Sequence, residues 1–198
     1  MGIRTFIAIE ISESLREEFS QLQNELRKSE ADVKWVEPKN MHLTLKFLGN
    51  TEEKKIEEIE RTLRIISDQT KPFAVTFQGL GAFPKLDFPR VIWVGIEKGK
   101  EELTQLANKI EKNLISIGFA SEKKPYSAHL TLGRVRSFKN KEKLNKIIKE
   151  KLSFQPKNSL AVNKISFLKS ELTPAGPLYT RLAEFSFSQS SDNLFAFF

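Results

Sequence analysis

The tetrapeptide His-Leu-Thr-Leu occurs twice, at 42–45 and at 129–132, and these two copies hold both histidines of the 198-residue chain. A proline stands four residues before each histidine, Pro38 and Pro125. Along a strand, successive side chains turn to opposite faces. In each copy the histidine and threonine therefore share one face and the two leucines share the other. Leu43, Leu45, Leu130 and Leu132 supply a core contact, which leaves the imidazole and hydroxyl free to line a cleft. The copies lie 87 residues apart, and residues 4–11 have a counterpart in 90–96 at nearly the same offset. A period this long, with two copies, is no solenoid repeat. It points to a duplicated and fused chain with a pseudo-two-fold axis, its repeats at about 4–88 and 90–187 within a single unit spanning 1–198.

The two halves read in the same order of elements. Residues 5–11 form an apolar strand. Ser12 is placed to cap a helix to about 29, with Leu15, Phe19, Leu22 and Leu26 on one face. Residues 33–36 are extended, and 42–48 form a strand ended by Gly49-Asn50. Thr51 is read as the cap of a second helix carrying Ile56, Ile59, Leu63 and Ile66. A strand at 73–77 precedes a loop over 79–89. The second half has a strand at 90–96, a helix at 100–117 and a strand at 129–132 ended by Gly133. A basic helix at 140–152 and strands at 161–168 and 179–187 complete it. The polar run 188–193 reads as loose, and the apolar end 194–198 is too short to span a bilayer.

A two-fold axis would set two imidazoles across one cleft, each with a hydroxyl beside it. In-line displacement at phosphorus uses a base on the entering oxygen and an acid on the leaving oxygen, roughly opposite each other. Imidazole serves either task because its ordinary pKa is about 6.5. Thr44 and Thr131 could donate hydrogen bonds to the non-bridging phosphate oxygens.

Composition closes off other chemistries. There is no cysteine, hence no disulfide framework, thiolate metal site or thiol nucleophile, as in proteins of a reducing cytoplasm. Zinc takes four ligands or three and water, and no acidic residue stands at short fixed spacing from either histidine, so no metal is expected. No nucleophile elbow or P-loop is present, nor a secretion signal or membrane-spanning run. The net charge of +7, from 32 basic and 25 acidic residues, suits a polyanionic partner such as RNA and equally a soluble basic surface.

The paired motifs, with Lys46-Phe47-Leu48-Gly49 and Gly133-Arg134-Val135 behind them and Arg4-Thr5-Phe6-Ile7-Ala8-Ile9 at the start, resemble the H-x-T-x motifs of the 2H phosphoesterase superfamily. Within it they resemble the RNA 2′,3′-cyclic phosphodiesterase, or 2′-5′ RNA ligase-like, branch. The resemblance implies a bilobed α+β fold, with an antiparallel sheet in each lobe, helices outside and a central cleft. It implies cofactor-free, metal-independent hydrolysis of RNA 2′,3′-cyclic phosphate ends to 2′-phosphomonoesters. By the same analogy His42 is the proton donor and His129 the proton acceptor, an assignment that the near-symmetric halves leave open. Ligation through the reverse reaction and a non-catalytic RNA-binding module are the alternatives. A monomer in the cytoplasm, acting on RNA ends and not on membranes, is the accompanying expectation.

Arg134 resembles an arginine found after the second motif and could clamp phosphate. Strict alternation puts it on the face opposite His129, so that role requires a bend at Gly133; otherwise it is a surface arginine. Lys46, in phase with His42, could face the cleft mouth or be solvated. Phe83, Phe88 and Tyr126 are candidates for stacking on a base. The basic run from Arg134 to Lys151 reads as a solvated helix face that can attract an RNA backbone.

Overall fold

Each histidine tetrapeptide opens a strand whose leucines are buried and whose histidine and threonine are half-buried. Burying such a leucine contributes about 1.5–3 kcal/mol relative to leaving it in water. A one-residue slip would put imidazole and hydroxyl into the core instead, so four leucines pin the register. The computed structural model describes residues 2–174 and 176–188. Apart from Ser188, the segments 188–193 and 194–198 lie outside the described residues.

Four-stranded antiparallel sheets form the two lobes. The first sheet contains β1 (Gly2–Glu10), β3 (His42–Glu52), β9 (Lys164–Thr173) and β10 (Gly176–Ser186), in the order β10-β9-β1-β3. The second contains β2 (Val33–Trp35), β5 (Phe77–Lys85), β6 (Phe88–Ile96) and β7 (His129–Val135), in the order β2-β7-β6-β5. A short pair, β4 (Phe73–Val75) with β8 (Leu160–Val162), joins strands from the two sequence halves. The chain thus has the expected bilobed α+β architecture, but each sheet draws two strands from either side of residue 89.

The helices are exchanged as well. α1 (Glu13–Arg27), which follows β1 of the first sheet, lies against the second. There its Gln23 side-chain amide donates to Val36 O and Leu132 O, both at 2.8 Å. α4 (Lys141–Glu150) packs beside α1 and β5. α3 (Lys100–Ser116), which follows β6 of the second sheet, packs on β3 of the first, next to α2 (Ile56–Asp68). One continuous apolar core runs between the helices and both sheets.

Several local readings are corrected. β3 and β7 run on through Gly49-Asn50 and Gly133, because flanking strands pair with them. Thr51 is no helix cap: it is buried in β3, its hydroxyl 2.6 Å from that of Thr5, and α2 starts after a 3₁₀ turn at Glu53–Lys55. Residues 79–89 are a β-hairpin and not a loop. Ser12 does cap α1, accepting from Leu15 N at 3.4 Å.

Both histidine strands carry a bulge at the same place. Ala8 pairs with Thr44 but Ile7 with Lys46, which leaves Leu45 extra; Trp93 pairs with Thr131 but Ile92 with Gly133, which leaves Leu132 extra. An extra residue reverses the facing of everything after it. Lys46 consequently turns inward. Its side chain is 2% exposed and its ammonium meets the Glu111 carboxylate of α3 and donates to Ala120 O at 3.1 Å. It therefore faces neither the cleft mouth nor solvent. Gly133 turns inward likewise, and a Cβ there would stand 2.7 Å from Val33 Cγ1 and 2.9 Å from the Trp35 ring, so only glycine fits.

Removing one partner of a buried ion pair strands the other. Lys46→Ala is expected to lower unfolding stability by about 2–3 kcal/mol, the partial exposure of Glu111 moderating the loss. Phe47→Ala next door, at an exposed position, is expected to cost less than about 1 kcal/mol. Urea midpoints at neutral pH would rank the two; the opposite order would contradict the inward setting of Lys46.

Candidate active site

The bulges decide which side chains share a face with the histidines. After Leu132 and Gly133 are both buried, Arg134 emerges exposed on the side of His129 and Thr131. The bend on which a phosphate-facing position depends is present. The same step in β3 turns Phe47, 54% exposed, to the side of His42 and Thr44. Sequence alternation missed Phe47, since it puts that residue on the opposite face.

Each imidazole is held in the same way. Nδ1 of His42 is 2.7 Å from Asn40 O, and Nδ1 of His129 is 2.7 Å from Ser127 O. A carbonyl oxygen only accepts, so both Nδ1 atoms carry hydrogen. Nε2 of each ring is left as the atom able to take or give a proton. The carbonyl behind His42 is fixed from two sides. Pro38 starts the 3₁₀ turn Pro38–Asn40, and the Asn40 side chain donates to Pro177 O of β10 at 3.0 Å.

Aromatic rings wall both sides. In the first lobe Phe6 and Tyr179 lie 5.0 and 5.5 Å from the His42 ring, with 4.9 Å between them. In the second, Phe83 lies 5.1 Å and Trp93 6.3 Å from the His129 ring. Phe83 therefore belongs to the site, but as a wall beside the imidazole. Tyr126 does not: its ring packs on the core and its hydroxyl is buried, which pushes its pKa up. Phe88 stands at the far end of β6, outside these walls.

The lobes meet here. β3 lies against β7, and the charge of His129 acts on His42. Arg134, from the second lobe, acts on His129 and also on Tyr179 of the first. A cavity of about 280 Å³ opens beside His42, lined among others by Glu10, Asn40, Tyr179 and Arg181. A shallower depression of about 510 Å³ lies on α4, lined by Glu142, Asn145, Lys146, Lys149 and Glu150 and by no residue of the histidine strands. Among the described residues no group of three or more His, Asp or Glu side chains could hold a metal ion.

Symmetry fails at two positions. Glu10 is the cross-strand partner of His42, whereas Gly95 is that of His129. Behind the bulge, Arg134 occupies the place that Phe47 occupies in the first lobe. Burial is the largest influence on both imidazoles and lowers both pKa values below the ordinary 6.5; the bonds to Asn40 O and Ser127 O oppose it. The Glu10 carboxylate raises His42, while the Arg134 guanidinium lowers His129 further. Glu10 is in turn held by Arg181, at 2.6 and 3.1 Å. Neither Glu10 nor Tyr179 stood out in the sequence, because strand pairing and not spacing brings them to His42.

The chain is similar to known proteins over nearly its whole length. The family described as LigT like Phosphoesterase matches residues 9–93 and again 94–179. The RNA 2′,3′-cyclic phosphodiesterase of Methanothermobacter thermautotrophicus is 38% identical over 185 residues, 93% of this chain and 99% of that protein. The enzyme of the same description from Archaeoglobus fulgidus is 40% identical over 183 residues, 92% and 99%. Among solved structures, TT0787 of Thermus thermophilus superposes with a TM-score of 0.80 at 25% identity, covering 93% of this chain and 98% of that one. E. coli LigT complexed with 3′-AMP gives 0.73 at 25% identity, covering 96% and 100%.

Ring-proton NMR titration is expected to give both imidazoles pKa values below 6.5. Glu10→Gln removes a carboxylate from His42 and should lower its pKa further. Arg134→Gln removes a cation from His129 and should raise its pKa. A shift of the opposite sign in either variant would contradict the electrostatic asymmetry.

Proposed function

The chain belongs to the LigT-like phosphoesterase family, and we propose that it hydrolyses the 2′,3′-cyclic phosphate of RNA ends to a 2′-phosphomonoester, with His42 as proton donor and His129 as proton acceptor. The observation that carries this reading is the matched pair of imidazoles on adjoining strands, each with Nδ1 committed to a carbonyl and Nε2 left for the substrate.

In this mechanism neutral His129 takes a proton from water at Nε2. The water oxygen bonds to phosphorus as the bond from phosphorus to O3′ breaks in line. Protonated His42 delivers its Nε2 proton to O3′, which leaves as a hydroxyl, and the phosphate stays on O2′. The electrostatic asymmetry supports the assignment: a carboxylate beside His42 favours the protonated acid, and a guanidinium beside His129 favours the neutral base. The hydroxyls of Thr44 and Thr131 and the Arg134 guanidinium donate to the non-bridging oxygens, where charge accumulates. Half-burial of the two threonines strengthens their contacts by limiting access of water.

General acid–base groups of this kind supply about 10²–10⁴-fold each. His42→Ala and His129→Ala are each expected to reduce turnover of a cyclic-phosphate oligonucleotide by at least about 10²-fold with the fold intact. Arg134→Gln is expected to cost about 10–10² in kcat. Chelator should leave activity unchanged. The two lowered imidazole pKa values put the maximum of kcat/KM on the acid side of pH 6.5. Product analysis separating 2′- from 3′-monoester, with joined 2′-5′ product counted alongside, tests the reading; wild-type turnover in either histidine variant would overturn it.

A further inference from the structure

Two phenylalanines stand exposed together where β6 begins and β7 ends. Phe88 is 48% and Phe138 60% exposed, and their rings meet edge to face at 6.0 Å. Cations surround them. The Lys141 ammonium lies 4.0 Å from the Phe88 centroid and 5.6 Å from that of Phe138; Arg90 lies 5.6 Å from Phe138, and Lys85 5.7 Å from Phe88. Asp87, in the same turn, faces α4, where Lys149 comes within 3.7 Å. A folding core has no use for two exposed rings, and a merely soluble surface has no use for three cations gathered on them. A single-stranded nucleic acid uses both: bases stack on aromatic faces while phosphates meet the cations.

The position of this patch ties it to the cleft. Gly95 pairs with His129 at one end of β6, and Phe88 lies seven residues further along, roughly 23 Å at about 3.3 Å per residue. Between them Val91 pairs with Arg134, and Arg134 with Lys34, which sets two exposed cations side by side across β7 and β2. Cations therefore lead from the histidines by way of Arg134 and Lys34 to the exposed ring pair.

We propose that Phe88, Phe138, Lys141, Arg90 and Lys85 form a docking platform for the single-stranded RNA whose end is processed in the cleft. This rests on the reading of the substrate as an RNA end. A cyclic mononucleotide seated at the histidines is too short to reach the platform; an oligonucleotide of several residues spans both. The platform therefore acts on substrate length and not on the bond being broken.

The test compares wild type with the Phe88→Ala/Phe138→Ala double variant, Phe138→Trp and Lys141→Ala. Substrates are a 2′,3′-cyclic mononucleotide and a single-stranded oligonucleotide bearing the same terminus. Fluorescence anisotropy of an oligonucleotide ending in a 2′-monophosphate reads binding without turnover. The double alanine variant should leave kcat/KM for the mononucleotide within twofold. It should raise KM for the oligonucleotide about tenfold or more with kcat unchanged. Phe138→Trp should retain or tighten oligonucleotide binding. Lys141→Ala should reduce the slope of log affinity against log salt by about 0.7. Equal effects on both substrates, or unchanged oligonucleotide binding in the double variant, would overturn the platform. Wild-type protein that turns over neither substrate would sink the hydrolytic reading instead, and anisotropy would still judge the platform.

Discussion

The site depends on one backbone irregularity used twice: the extra residue that closes each histidine tetrapeptide. Leu45 has no partner on β1 and Leu132 none on β6, and each disturbance is secured by a polar side chain from the long helix packed over it. In the second lobe Gln23 of α1 donates to the carbonyl of Leu132 itself. In the first, Glu111 of α3 receives the ammonium of Lys46, the residue just after the bulge. A regular strand would hide Arg134 and expose Lys46. The bulged strands do the reverse: one puts a guanidinium beside an imidazole, and the other buries an ammonium against a partly exposed carboxylate.

That device explains what the sequence could and could not disclose. The histidine and threonine faces were legible because alternation holds over four residues and because four leucines enforce it. Beyond the fourth residue alternation misleads. It sends Arg134 the wrong way unless Gly133 bends the chain, leaves Lys46 in the cleft mouth or in water, and hides Phe47 altogether. Nothing in composition marks the bulge, since its support comes from helical residues 109 positions before one strand and 65 positions after the other. The hairpin over 79–89 resembles a loop in sequence because its glycines and prolines look like turn punctuation; its strand character comes from pairing with β6. Thr51 looked like a cap because it precedes an amphipathic segment, yet its hydroxyl is spent on Thr5.

Duplication gives two similar half-sites, and similar half-sites cannot by themselves divide the labour of acid and base. Under the proposed roles, what can tell the two rings apart are the places where the halves have diverged. Glu10 pairs with His42 whereas Gly95 pairs with His129, and Arg134 stands where the first lobe has Phe47. Burial lowers both imidazoles and weighs more heavily on His42, the more enclosed ring, so it does not favour the acid there. The distinction is left to two charges, one of each sign, at positions where the other half has no charge.

Because the chain passes from one sheet to the other and back at β2, β3, β5 and β9, the halves are interlaced in the manner of clasped hands. A chain cut at residue 89 would leave each sheet two strands short, whichever piece were kept. Nor is there a single swivel about which the jaws could gape, since several covalent crossings bridge them. Widening the cleft would have to strain those crossings, so connectivity as well as packing holds the two histidine strands against each other.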